Sequence, residues 1–312
     1  MNTSSTITRR AALSSLAGAL AAQPARPQVV QVTVLSTMLS GSFNGEWGFA
    51  AMVTVDGKRT LFDTGNRPET VLNNLREMKL DLAGVPEVVL THHHRDHTGG
   101  LVTLRRDAMT RDPKAIATAY GGKGILLPRQ PANDFVLIKG EYEATGAKLK
   151  EIAKPTQIAP SVWLTGPVPR VFGERNWSGS TRLRAADGIE EDTLPEDQAM
   201  VIDTNQGLIV ISGCGHAGIV NTLTYARKAI RNTNIYAVIG GFHLFDANDE
   251  KLTWTAQQIA PMGITYFLAA HCTGVESTVR LRELLKLPPE RMTIAQVGRR
   301  FESGKGILGA RS

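Results

Sequence analysis

Histidine is scarce in this chain and unevenly placed. Seven occur in 312 residues, at positions 92, 93, 94, 97, 216, 243 and 271. Four of the seven fall inside Thr91-His-His-His-Arg-Asp-His-Thr-Gly-Gly100, and the other three each follow a short apolar run. Scattered core or surface histidines do not cluster in this way. His92 and His94 are two apart, just after Val88 to Leu90, which reads as a short buried strand. A loop leaving that strand can turn both imidazoles toward one ion. Asp96 and His97 can then reach a second ion from the loop or the start of the next helix. Imidazole and carboxylate are borderline and hard ligands that suit zinc, manganese or iron at neutral pH.

The remaining histidines sit on a repeated device. Ile209-Val-Ile-Ser-Gly-Cys-Gly-His216 is a strand ending in a glycine-rich turn, which presents Cys214 or His216 at a sheet edge. Leu268-Ala-Ala-His271-Cys-Thr-Gly274 repeats it, and Gly240-Gly-Phe-His243 marks a further strand end. The elements that must carry these ends are legible from patterning. Val29 to Ser36 reads as a strand. Phe49 to Val55 and Arg59 to Phe62 flank Asp56-Gly57, a hairpin turn signal. Arg67 to Met78 has helical spacing, with Pro68 in its first turn. A helix starts within Gly99 to Arg106. From Met200 the chain alternates: strands at 200–203 and 208–212, a helix at 219–230, a strand at 235–239, a helix at 251–259, a strand at 265–269 and a helix at 277–285. Residues 107 to 195 are irregular, with strand candidates at 116–120, 149–152 and 162–164, and read as loops and edge strands around a site. The whole predicts an α/β fold of two sheets flanked by helices.

Composition excludes several classes. Hydrophobic residues make up 42% and charged residues 21%, an ordinary globular balance and not that of a disordered or collagen-like chain. Two cysteines exclude a disulfide framework and a four-cysteine zinc finger. A bond between Cys214 and Cys272 and ligation by Cys214 both stay open. The net charge is +6 with no run of five Lys or Arg, so no nucleic-acid footprint is visible; an anionic small molecule is compatible. Asn66, Arg67, Arg95 and Arg170 neighbour the motifs and are the cations and amide placed to meet such a substrate. Trp47 and Trp163 read as core.

Residues 1–25 carry Arg9-Arg10 ahead of an Ala-rich run from Ala11 to Ala22, with small residues around Ala19-Leu20-Ala21. This resembles a twin-arginine export signal, which carries folded proteins and so suits a metal-loaded enzyme in the periplasm or outside the cell. The run is too short to span a bilayer, and nothing after it is long and apolar enough to do so. Pro24 to Gln28 reads as a linker, leaving 26–312 as a single domain.

The Thr91–Gly100 segment resembles the His-x-His-x-Asp-His signature of the metallo-β-lactamase superfamily, and the resemblance covers most of the chain after the leader. It implies an αββα sandwich of two mixed β-sheets flanked by helices. Leu61-Phe-Asp63-Thr-Gly65 matches the strand-end motif whose acid hydrogen-bonds a ligand histidine. By analogy a first metal takes His92, His94 and His216, and a second takes Asp96, His97 and His271, with Zn2+ ahead of Mn2+ or Fe2+. One departure stands out: no Gly-Asp occupies the place of the usual metal-bridging aspartate. Cys214 or His243 can substitute, or solvent alone can bridge; Cys214 otherwise stands behind the ligands. The set of motifs, with Thr165-Gly-Pro-Val-Pro-Arg170 and Glu196-Asp-Gln-Ala199, resembles the branch of dihydropterin ribofuranosylaminobenzene phosphate synthases and related hydrolases.

The activity this implies is hydrolysis of an ester, lactone, amide or phosphoester by metal-activated water. Asp96 would orient the nucleophile, and His243 would donate a proton to the leaving group. A redox enzyme of di-iron or persulfide-oxidising type, a nuclease, and a non-catalytic metal-binding module are the competing readings on the same scaffold.

Overall fold

The computed structural model describes Met1 and residues 26–177, 181–185 and 188–310. Apart from Met1, the segment 1–25 that reads as an export signal lies outside the described residues. Two large sheets stack face to face. The first runs in the order Gly306–Leu308, Arg300–Glu302, Val30–Ser36, Ala50–Val55, Lys58–Phe62, Glu87–Leu90, Thr118–Gly122, Lys148–Ile152. It is antiparallel as far as Lys58–Phe62 and parallel beyond. The second runs Met292–Ile294, Tyr266–Ala269, Ile235–Gly240, Gly207–Ser212, Ala199–Thr204, Val162–Leu164, Thr156–Ala159, parallel over its first four strands and antiparallel thereafter.

Local chemistry explains both halves. Val55 pairs with Lys58 across a two-residue turn in which Asp56 and Gly57 take φ of 47° and 82°. Those left-handed conformations match the twist of a hairpin, which is why the Asp-Gly pair closes it. Parallel strands need long crossovers, and these are helical. Thr70–Glu77, Leu101–Ala108 and Phe135–Glu143 cover the outer face of the first sheet. Ile219–Ala229, Asp249–Ile259 and Val275–Leu285 cover the second. Val32, Phe49 and Phe62 from one sheet meet Ile202, Ile209 and Leu268 from the other in the central core. Each such side chain contributes roughly 1.5–3 kcal/mol by leaving water. The result is the expected four-layer αββα sandwich of two mixed sheets. No helix among the described residues is long and apolar enough to cross a membrane.

Residues 107–195 are more ordered than expected. Thr118–Gly122 lies inside the first sheet, between two parallel neighbours, and is no edge strand. Phe135–Glu143 is a helix, burying Phe135 and Tyr142. A third, three-stranded sheet joins Arg129–Gln130, Arg182–Ala185 and Gly188–Glu191. The first long helix starts at Thr70, so Pro68 precedes it and is not in its first turn. The carboxylate of Glu46 accounts for the delay: it accepts hydrogen bonds from Asn66 N at 3.0 Å and Arg67 N at 2.8 Å, holding that segment as a loop.

Candidate metal centre

The motif residues all lie just past the carboxyl ends of strands. Asp63 follows Lys58–Phe62, His92 to His94 follow Glu87–Leu90, Cys214 and His216 follow Gly207–Ser212, His243 follows Ile235–Gly240 and His271 follows Tyr266–Ala269. Stacking the two sheets brings these ends to one edge. Asp63, His243 and His271 adopt φ of 52°, 47° and 47°. Left-handed backbone costs a non-glycine residue about 1 kcal/mol or more and persists where the surroundings over-determine it. Here it swings the side chains off their strands and into the cluster.

The residues that the family resemblance assigns to each ion are neighbours in space. The rings of His92, His94 and His216 lie 4.7, 4.7 and 5.1 Å apart, centre to centre. Asp96 Oδ2 sits 3.6 Å from His97 Nε2 and 3.1 Å from His271 Nε2. The triads touch, with the His92 and His97 ring centres 4.3 Å apart. Cys214 stands between them: its Sγ is 3.1 Å from His97 Nε2 and within 4.8 Å of ligand atoms of both triads.

Hydrogen bonds fix the tautomers. A carbonyl only accepts, so the 2.5 Å contact from His216 Nδ1 to the Asn176 carbonyl places the proton on Nδ1. Asp63 Oδ2 accepts likewise from His97 Nδ1 at 2.7 Å. Thr91 Oγ1 donates its single proton to Asp63 Oδ2 at 2.9 Å, and Asp63 Oδ1 takes Thr91 N at 2.8 Å. The hydroxyl oxygen is then an acceptor for His92 Nδ1, 2.9 Å away. The rings of His92 and His216 therefore turn their Nε2 lone pairs inward, and His97 aims its Nε2 the same way. The Nε2 atoms of His92 and His216 are buried and have no hydrogen-bond partner. A buried polar atom left unpaired costs about 1–3 kcal/mol. A cation among the converging lone pairs removes that cost, and in this sense the residues fit the metal that the fold implies.

Electrostatics agree. Burial, then the neighbouring imidazoles, holds His92 and His216 well below the usual histidine range, and burial brings His94 down to about 4. These rings are neutral at neutral pH, as metal ligation requires. Burial alone would lower His97, but the carboxylates of Asp96 and Asp63 outweigh it and hold the ring up to about 9. Burial also pushes Asp96 up, yet His97 and His271 overcome it and keep the carboxyl far below its ordinary range. Burial pushes the Cys214 thiol up.

His93, the histidine without an expected role at the metal, faces away. Its Nδ1 is 2.7 Å from Glu196 Oε1; Glu196 Oε2 accepts from Arg129 Nη2 at 2.7 Å, and Arg129 Nε donates to Asp192 at 2.7 Å. All four side chains are buried. This network braces the histidine turn from behind, and sequence reasoning missed it except for noting Glu196 as part of a pattern. Thr91 and the Asn176 carbonyl were also missed.

His243 sits beside His216, ring centres 4.8 Å apart, with a buried Nδ1 that has no hydrogen-bond partner. It lines a cleft of about 810 Å3 walled by Trp177, Trp254 and Phe245, with Arg175, Lys251 and Glu174 among its polar groups. Two expectations need correction. Trp47 is 44% exposed and stands edge-on to His271 and Phe245 at 4.8 and 5.5 Å, at the mouth of the site and not in a core. Arg170 donates to the Thr193 and Leu194 carbonyls and lies over the Trp177 ring, so it anchors a loop. Neither it nor Asn66, Arg67 and Arg95 lines the cleft. Trp163 does pack against a core, and both cysteines are free.

Residues 48–227 match the family model of the metallo-beta-lactamase superfamily. The chain belongs to that superfamily. Within it, the chain is 25% identical over 268 residues to the 7,8-dihydropterin-6-methyl-4-(beta-D-ribofuranosyl)-aminobenzene-5'-phosphate synthase of Methanocaldococcus jannaschii, covering 82% of this chain and 90% of that one. An uncharacterized protein of the same organism is 29% identical over 245 residues, 78% of this chain and 90% of that one. The crystal structure of Tm1679, described as a metal-dependent hydrolase of the β-lactamase superfamily, superposes with a TM-score of 0.68 at 26% identity, covering 86% of this chain and 95% of that one. The branch read from the motifs is thus the one that its relatives represent.

Proposed function

We propose that this protein is a metal-dependent hydrolase that cleaves an ester, lactone, amide or phosphoester of a small molecule held in the cleft beside His243. The observation that carries the reading is the convergence of buried, neutral imidazoles with inward lone pairs on the open edge of the sandwich. His92, His94 and His216 would hold one ion, and Asp96, His97 and His271 a second, zinc being the metal that best suits such a donor set. When bound, such ions lower the pKa of a coordinated water toward about 7 and polarise the scissile bond's oxygen.

The chain's own residues do the rest. Asp63, Thr91 and the Asn176 carbonyl orient the ligand rings. Asp96 stays ionised at neutral pH, so it can orient the attacking water by accepting a hydrogen bond from it. His243, whose side chain lines the cleft, donates a proton to the leaving group. Trp177, Trp254 and Phe245 give the substrate apolar walls, and an anionic group is met by Arg175 and Lys251, although Glu174, Asp246 and Glu250 share the same lining. The proposed partner is therefore a small molecule and not a nucleic acid. The twin-arginine-like leader supports export of the folded, loaded chain to the periplasm or beyond.

A panel of esters, lactones, amides and phosphoesters, assayed with the zinc-loaded protein before and after chelation, tests the proposal. Turnover of one class, lost with the metal and regained on its return, is expected. Absence of turnover across all four classes would overturn it. The relative named a synthase favours a second reading, a bond-forming reaction at the same centre. Under that reading the panel stays silent while metal is still bound.

A further inference from the structure

The ligand atoms include one carboxylate, Asp96, for two divalent ions. Among the described residues no second carboxylate belongs to any of these ligand groups. At the strand end after Ile235–Gly240, a Cβ on Gly241 would lie 2.2 Å from the Gly213 carbonyl oxygen and 2.8 Å from Cys272 Sγ, so no side chain fits there. The crowding comes from the adjacent strand end, where Ser212 pairs with Gly240. Gly213 is itself pressed into the site: a Cβ on it would lie 2.3 Å from Thr91 Oγ1 and 2.5 Å from Asp63 Oδ2. This close approach delivers the next residue, Cys214, between the triads. Its Sγ belongs to the group formed by Asp96, His97 and His271, and also to the one formed with His92 and His216. The buried, unpartnered Nε2 atoms of His92 and His216 face the same space. Cys272 is differently employed. Its sulfur accepts from His243 N at 3.2 Å and lies 3.7 Å from the Cys214 carbonyl oxygen.

We propose that the Cys214 thiolate bridges the two metal ions in place of a second carboxylate. This deepens the metal-centre reading above and rests on it. The thiol proton leaves to solvent as the metal binds, and no oxidation is involved. A sulfur bridge makes the centre select borderline-soft ions, zinc, cobalt(II) or iron(II), over magnesium and manganese, which prefer oxygen.

Cobalt(II) titration of the metal-free full chain, followed by absorption and by metal analysis, tests this. The wild type takes two cobalt ions per chain and shows a thiolate-to-cobalt charge-transfer band in the near ultraviolet. Cys214→Ser loses the band and binds the second ion at least tenfold more weakly. Cys214→Asp recovers two ions per chain without the band, which also shows that the site still folds. Cys272→Ser keeps the band. A wild type that binds cobalt without the band, or a band that survives Cys214→Ser and vanishes in Cys272→Ser, overturns the bridge while leaving the metal centre standing. A wild type that binds no cobalt overturns both.

Discussion

Replacing Asp63 by Asn tests how the backing hydrogen bonds tune the centre. The carboxylate accepts three: from Thr91 N at 2.8 Å, Thr91 Oγ1 at 2.9 Å and His97 Nδ1 at 2.7 Å. In Asp63→Asn the remaining oxygen can keep Thr91 N, which leaves the amide NH2 facing two donors. The Thr91 hydroxyl must turn away. His97 must offer a lone pair at Nδ1 and carry its proton on Nε2, the nitrogen aimed at Asp96 and Cys214. A proton on that nitrogen blocks ligation. Outer partners of ligand histidines are typically worth 10- to 100-fold in metal affinity, about 1.4–2.7 kcal/mol. The ion held by Asp96, His97 and His271 should weaken by that factor. The ion at His92, His94 and His216 should weaken less, because it feels the change only through Thr91 and His92. Competition against a chromophoric chelator, analysed for two sites, measures both. Equal affinity of Asp63→Asn and wild type for the second ion would refute the tautomer argument.

Three further outcomes follow from the same geometry. His243→Ala should lower turnover by about 10²- to 10⁴-fold, as loss of a general acid does; metal analysis should still find the wild-type stoichiometry, and lost metal would instead mark His243 as a ligand. Arg129→Met leaves the buried carboxylates of Asp192 and Glu196 without their shared cation, and denaturant unfolding should show a loss of about 3–5 kcal/mol; an unchanged midpoint would contradict the bracing role. Burial raises Glu174 from 4.5 to about 7, against the Asn221 and Val220 amides that favour its charge. A carboxyl raised on folding stabilises fully below its unfolded pKa and loses that contribution as pH rises through the folded one. The stability of wild type relative to Glu174→Gln should therefore fall by up to about 3 kcal/mol between pH 4.5 and somewhat above 7, and a flat difference would refute the shift.

What could be read in the sequence was whatever local spacing encodes. The hairpin at Asp56-Gly57 and the pairing of His92 with His94 and of Asp96 with His97 are such signals; the grouping with His216 and His271 came from the family resemblance. The helix at Phe135–Glu143 was illegible because its apolar residues run consecutively, Phe135 to Ile138, with no helical period; Leu137 is 74% exposed. Thr118–Gly122 ends in two glycines, which read as loop and not as the interior of a sheet. The orienting groups escaped for another reason. Glu196 meets His93 across 103 positions, and Asn176 acts through its backbone carbonyl, which no side-chain pattern announces. Cys214 stood in the sequence as one substitute beside His243; that its sulfur reaches both ligand groups depends on how closely Gly213 packs against Thr91 and Asp63, a tertiary fact.

Two ions are expected in this protein, one on each group of ligands. Anomalous diffraction at the metal edge from crystals of the zinc-loaded protein tests this most directly. One peak is expected among His92, His94 and His216 and a second among Asp96, His97 and His271. Peaks elsewhere, or none in crystals whose metal content has been verified, would contradict it.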